Sequence, residues 1–239
     1  MIQARFGKAL TLAAGAVLAM AAPQAASANI IQVDAGDIGQ SYTINYDGFS
    51  DGNVINGLTG QTTFTLTGVT ANRFDFNYDV RNTSTDPIDT SRISIFGFNT
   101  DPNINGATAT GLFNQISTGN APSGLGAIDV CFKGQQGGAC AGGGGVGVQA
   151  GASTSGTFSL SFVDALDSLT LSNFFVRYQS ITGAGNVTSA VGRGTVGGST
   201  GGGSTGGGST GGTPVPAPAA FALFGLAAAG LVGRRTRRT

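Results

Sequence analysis

The sequence predicts an all-β protein: a single antiparallel β-sandwich, preceded by an N-terminal signal helix and followed by a Gly/Ser/Thr linker and a C-terminal transmembrane helix. Three observations carry this. Apolar and polar residues alternate with period two over several short stretches separated by turn dipeptides. Glu is absent and Lys133 is the one lysine after the N-terminal region, so two strong helix formers are missing, while Gly, Thr, Ser, Asn and Asp abound. Uncharged runs near both ends, each flanked by Arg or Lys, frame the alternating region.

In chain order, Arg5 and Lys8 precede an uncharged run from Ala9 to Ala22, then Pro23 and the small residues Ala26-Ser27-Ala28. A basic start, an apolar stretch and a small-x-small site define a signal peptide over residues 1–28, cut by signal peptidase between Ala28 and Asn29. The apolar run, about fourteen residues, is short for a spanning helix.

Residues 29–196 form the expected exported domain. Tyr42, Ile44 and Tyr46 share one side of a strand over Ser41–Tyr46, and Phe64 and Leu66 share one side over Thr62–Val69. Arg73–Asn82 sets Phe74, Phe76, Tyr78 and Val80 against Arg73, Asp75, Asn77 and Asp79. Arg92–Asn99 places Ile93, Ile95 and Gly97 together, and Ser155–Val163 places Phe158, Leu160 and Phe162 together. Leu169–Tyr178 is apolar enough for a central strand. Turns are expected at Asp47-Gly48, Asp51-Gly52, Asn56-Gly57, Asp86-Pro87, Asp101-Pro102 and Asn105-Gly106. Phe74, Phe76, Tyr78, Phe158, Leu160, Phe162, Leu171 and Val176 should share the core, with phenylalanine supplying the bulk because Trp is absent.

Charge and missing residue types narrow the function. All twelve acids are Asp and lie between Asp34 and Asp167; six bases share that exported stretch, a net charge near minus six. That sign argues against nucleic acid or anionic lipid as partner. Without histidine, Ser-His and Cys-His catalysis and His-ligated metals are excluded. Paired Asp residues could cleave glycosides, but here most fall in turn dipeptides. No catalytic residue, no metal ligand set and no cofactor is assigned. The segment Asp47 to Asn53 has oxygen ligands at spacings that could hold calcium, although a hairpin turn explains it more simply.

Cys131 and Cys140 are the only cysteines. An exported chain favours their pairing, which would stabilise by about 2–3 kcal/mol and confine the run Gly142–Gly145. After the domain, residues 197–213 read as a flexible linker, with a root-mean-square span of about 20–24 Å over Gly197–Gly212.

The tail, residues 214–239, carries Val215-Pro216-Ala217-Pro218, an uncharged run to Gly233 and the cluster Arg234, Arg235, Arg237 and Arg238. From Ala217 to Gly233 a helix would be about 25 Å long, at the short end for a span. The Arg cluster argues against a buried core helix and keeps the C-terminus cytoplasmic. These three parts in this order resemble the PEP-CTERM sorting signal of Gram-negative bacteria, whose commonest motif has Glu where Ala217 stands. The resemblance implies processing by an exosortase at the Pro-rich motif, delivery to the cell surface or extracellular matrix, and exopolysaccharide as a partner. Asp129-Val130-Cys131-Phe132, the run from Cys140 to Gly145, Phe174 to Ser180 and Gly183 to Ala190 further resemble the cistern family of PEP-CTERM proteins. That family implies location rather than catalysis.

The expectation is therefore a surface or matrix protein with a structural or interaction role. The second reading is a carbohydrate- or calcium-binding module, with Tyr42, Tyr46, Phe49 and Tyr178 as candidate aromatics.

Overall fold

The computed structural model describes residues 29–142 and 144–201. The signal peptide, the linker beyond Gly201, the sorting motif and the Arg cluster lie outside them. So do the two expected terminal helices, and among the described residues no helix is long and apolar enough to cross a membrane.

Twelve strands follow one another: β1 (Ile30–Asp34), β2 (Gln40–Ser50), β3 (Asn53–Thr70), β4 (Arg73–Asn82), β5 (Thr90–Asp101) and β6 (Gly106–Ala109), then β7 (Gln115–Ala121), β8 (Gly126–Lys133), β9 (Val148–Gln149), β10 (Ser153–Ser161), β11 (Ser168–Thr182) and β12 (Ser189–Gly201). A short 3-10 turn, Ala35–Asp37, joins β1 to β2 and is capped by the Asp34 carboxylate, which accepts from Gly36 N. Every pairing is antiparallel.

The all-β antiparallel expectation is met, but the strands do not divide into two sheets. They form one sheet in the order β6-β10-β4-β3-β2-β12-β11-β5-β8-β7, with β1 on β11 and β9 on β5. The sheet curls until its end strands, β6 and β7, come close without pairing. Its two halves then face each other across a phenylalanine core. Phe64 of β3 lies 5.3 Å from Phe158 on its own half and 5.6 Å from Phe98 on the other, ring centre to ring centre. Phe132 of β8 lies 5.0 Å from Phe158 of β10. All eight residues expected to share the core do so.

β4 spans the residues read from its alternation, Arg73–Asn82, and its buried residues are those on the predicted side. Two turn signals misread the chain. Asp47-Gly48 lies inside β2 and Asn56-Gly57 inside β3, where the register jumps from Asp47↔Thr59 to Phe49↔Val54. The extra residues bulge, with Leu58 packed onto Gly48 and Gly57 at φ +77° against the Thr85 carbonyl. The actual turn is Asp51-Gly52, both at positive φ.

β5 was expected to have one wet face, and it has none. A register shift beside Ser94 moves Ile93 to the main core and Ile95 to the opposite side. β12 also differs: its pairing with β2 continues to Gly201, so five residues of the expected linker, from 197 on, are strand.

Candidate functional site

Because β5 and β11 carry apolar residues on both sides, and Val191 of β12 joins them, the sheet has a second buried cluster on its outer surface. Phe49, Ile95, Cys131, Phe175 and Val191 belong to it, with Cys140 and Ile128, and Leu125 packs at its edge. Two chain segments cover it: the β7–β8 turn, and the Gly-rich loop from Gly134 to Gly147. Burying such side chains stabilises by about 1.5–3 kcal/mol each, which is why the loop stays down despite its glycines. Gly97 shows how tight the layer is, since a Cβ there would sit 2.6 Å from Phe175 Cε1 and 2.7 Å from the Val130 carbonyl.

The expected disulfide is present. Cys131 of β8 is joined to Cys140 of the covering loop across a Cα–Cα distance of 5.8 Å, and both are fully buried. Beside it the Lys133 ammonium donates to the carbonyls of Gly137 and of Gly138, the latter at 2.7 Å. Burial pushes the Lys133 pKa down. Arg92 Nη2 donates to the Gly144 carbonyl at 2.8 Å, and Gly145 N to Gln135 Oε1 at 2.9 Å. The disulfide and the two basic side chains thus tie the glycine loop to the sheet, and the Gln135 amide braces the loop internally.

The strand register gathers charge on this side. Arg92, Lys133, Arg177 and Arg193, four of the six bases of residues 29–201, project from the face that carries Ile95, Phe175 and Val191. Arg177 Nη2 donates to Ser189 Oγ at 3.0 Å, and burial lowers the Arg177 pKa. Arg193 lies over the Phe49 ring at 4.7 Å. The one ion pair among the described residues, Arg73–Asp75 at 2.7 Å, lies on the same outer surface but in the other half of the sheet, on β4.

Two of the clefts among the described residues flank these features. One, of about 380 Å³, fills the seam where β6 and β7 splay apart, between Ile104 and Ala107 on one wall and Ile116, Thr118 and Ile128 on the other. Asp129 is its one charged residue, and that carboxylate accepts from Thr100 N at 2.9 Å. The other, of about 310 Å³, lies on the basic face where β11 changes neighbour from β1 to β12.

The remaining predicted residues fall as follows. Asn29 lines the second cleft, and its Oδ1 accepts from Val196 N at 3.4 Å. The aromatics named for carbohydrate binding do not form an exposed platform. Tyr46 and Tyr178 are buried in the core, Phe49 is covered by Arg193, and Tyr42 is half-buried. Asp51 and Asn53 close the β2–β3 hairpin, Asn53 Nδ2 donating to the Asp51 carbonyl at 3.2 Å. Among the described residues no three His, Cys, Asp or Glu side chains are grouped to hold a metal ion. The placing of these four bases on one half of the sheet was not read from the sequence, because it depends on strand register.

No family model matches the chain, and no curated protein matches it.

Proposed function

We propose that this chain is an exported, non-enzymatic surface or extracellular-matrix protein of a Gram-negative bacterium, carried by a PEP-CTERM-type sorting signal and processed by an exosortase. Residues 1–28 are the signal helix removed by signal peptidase, and 217–233 form the helix that holds the precursor in the inner membrane. The observation that carries this reading is the order of parts in the tail: Val215-Pro216-Ala217-Pro218, then the uncharged run, then Arg234, Arg235, Arg237 and Arg238. The prolines keep the backbone extended and short of a donor before the span, which suits a processing cleft better than helix continuation. The buried disulfide fits an oxidising destination. The lack of histidine removes Ser-His and Cys-His catalysis, and the interior is filled by phenylalanine rings, which fits an interaction role.

Substitution in the tail tests the proposal. Replacing Pro216 and Pro218 with Ala should leave the precursor membrane-inserted and unprocessed. Neutralising the four Arg should instead weaken retention in the membrane, because the charges that stop transfer are gone. If the proline variant is processed and released like the wild type, the sorting reading fails.

A further inference from the structure

We propose that the cleft beside Arg193 binds a carboxylate-bearing sugar unit, such as a uronic acid residue of an acidic glycan. The cleft is about 310 Å³, within the size range of small-molecule sites, and mixes polar with apolar lining. Arg193 is exposed at its rim, and the Phe49 ring beneath fixes the guanidinium at 4.7 Å. Its cross-strand neighbour is Asp47, yet the two form no ion pair, so the guanidinium keeps its capacity for a planar, two-point carboxylate contact. Across the cleft stand the amides of Asn29 and Asn173, which can exchange hydrogen bonds with sugar hydroxyls, and Leu125 supplies an apolar contact.

Two independent features support a ligand here. Asn173 holds φ +50° inside a strand, at the register shift between Ser172 and Phe175. A non-glycine residue held there is uncommon, and such strain concentrates at binding sites. Among the described residues Arg193 is also the one exposed base on this half of the sheet, so an anion meets an unpaired guanidinium here even though the exported stretch is acidic as a whole. The bland alternative is that the bulge only lets β11 exchange β1 for β12. The proposal does not rest on processing of the tail, and its failure leaves the sorting reading untouched.

Calorimetric titration of the full-length protein in detergent decides between them, with oligogalacturonate, a neutral oligogalactoside and sodium acetate at matched ionic strength. The expected result is saturable binding of the oligogalacturonate. It should weaken by about tenfold or more in Arg193→Gln, and also in Asn173→Gly, where glycine keeps the positive φ and only the amide is lost. Arg81→Gln, on β4 in the other half of the sheet, should bind like wild type. Equal binding of the neutral sugar, or acetate binding as tightly as the oligomer, would overturn the assignment of the ligand. No saturable binding, or binding indifferent to both cleft variants, would overturn the site.

Discussion

On the outside of β3, β4 and β10 the side chains are Gln61, Thr63 and Thr65, then Asn77 and Asp79, then Ser155, Thr157 and Ser159. On the outside of β11, β5 and β8 they are Phe175, Ile95 and Cys131. The first surface meets water directly and joins its neighbours by hydroxyl pairs, Ser41 with Thr65 at 2.7 Å and Thr43 with Thr63 at 3.3 Å. The second needs a lid, which the β7–β8 turn and the disulfide-tied glycine loop provide. One continuous sheet therefore has a bare side that contributes solubility and a covered side that carries the staple, the basic residues and the cleft of the proposed site. Substitutions should therefore matter little on the bare side and a great deal on the covered one.

The interior that both sides share sets the largest expected effect, loss of the fold at alkaline pH. Burial raises the pKa of all four tyrosines: Tyr42 to about 12, with Asp37 and Asp34 adding to the effect, and Tyr46, Tyr78 and Tyr178 upward as well. A phenol whose folded pKa is raised stabilises fully below its unfolded value, near about 10, and that contribution is lost as pH climbs toward the folded value. Tyrosinate absorbance should therefore appear together with unfolding above pH ~10. Smooth ionisation near that pH with the far-UV spectrum unchanged would contradict the burial.

Phe175→Ala removes the centre of the covered cluster and should cost about 3–5 kcal/mol in denaturant unfolding. A loss below about 1 kcal/mol, the range of ordinary surface changes, would mean the lid is not packed on it. Replacing Cys131 and Cys140 together by Ser should cost about 2–3 kcal/mol and expose residues 134–147 to proteolysis while strand content persists. Unchanged protection of the loop would show that Lys133 and Arg92 hold it without the staple. Thr63→Ala on the bare side marks the smallest effect, within about 0.5 kcal/mol; a cost like that of Phe175→Ala would erase the distinction between the two sides.

The same contrast explains what could be read from the sequence. β4 and β10 face water on one side, so their period-two pattern carried both their existence and their buried residues, from Phe74 to Leu160. β5 and β11 are covered on both sides, and the alternation read in Arg92–Asn99, with Ile93, Ile95 and Gly97 on one face and the other face wet, does not describe a strand whose Phe96 and Phe98 are buried as well. The bulge at Ser94 then reverses the side on which Ile95 lies, a consequence of pairing with Arg177 far along the chain. Asp47-Gly48 and Asn56-Gly57 have the composition of turns, and their place in a bulge depends on Leu58 and Thr85 rather than on local preference. The cysteine pair was legible because two cysteines allow only one bridge, and export was expected from the terminal patterns. The proposed site was not, since Asn29, Leu125, Asn173 and Arg193 come from four separate elements brought together only by the register.

Intact mass of the native protein taken from the cell surface, before and after alkylation without reductant, tests the account most directly. The expected chain begins at Asn29, ends at the Val215-Pro216-Ala217-Pro218 motif, and takes up no alkyl group at Cys131 or Cys140 until it is reduced. A mass that still includes the residues through Thr239, or quantitative labelling of both cysteines in the unreduced protein, would contradict it.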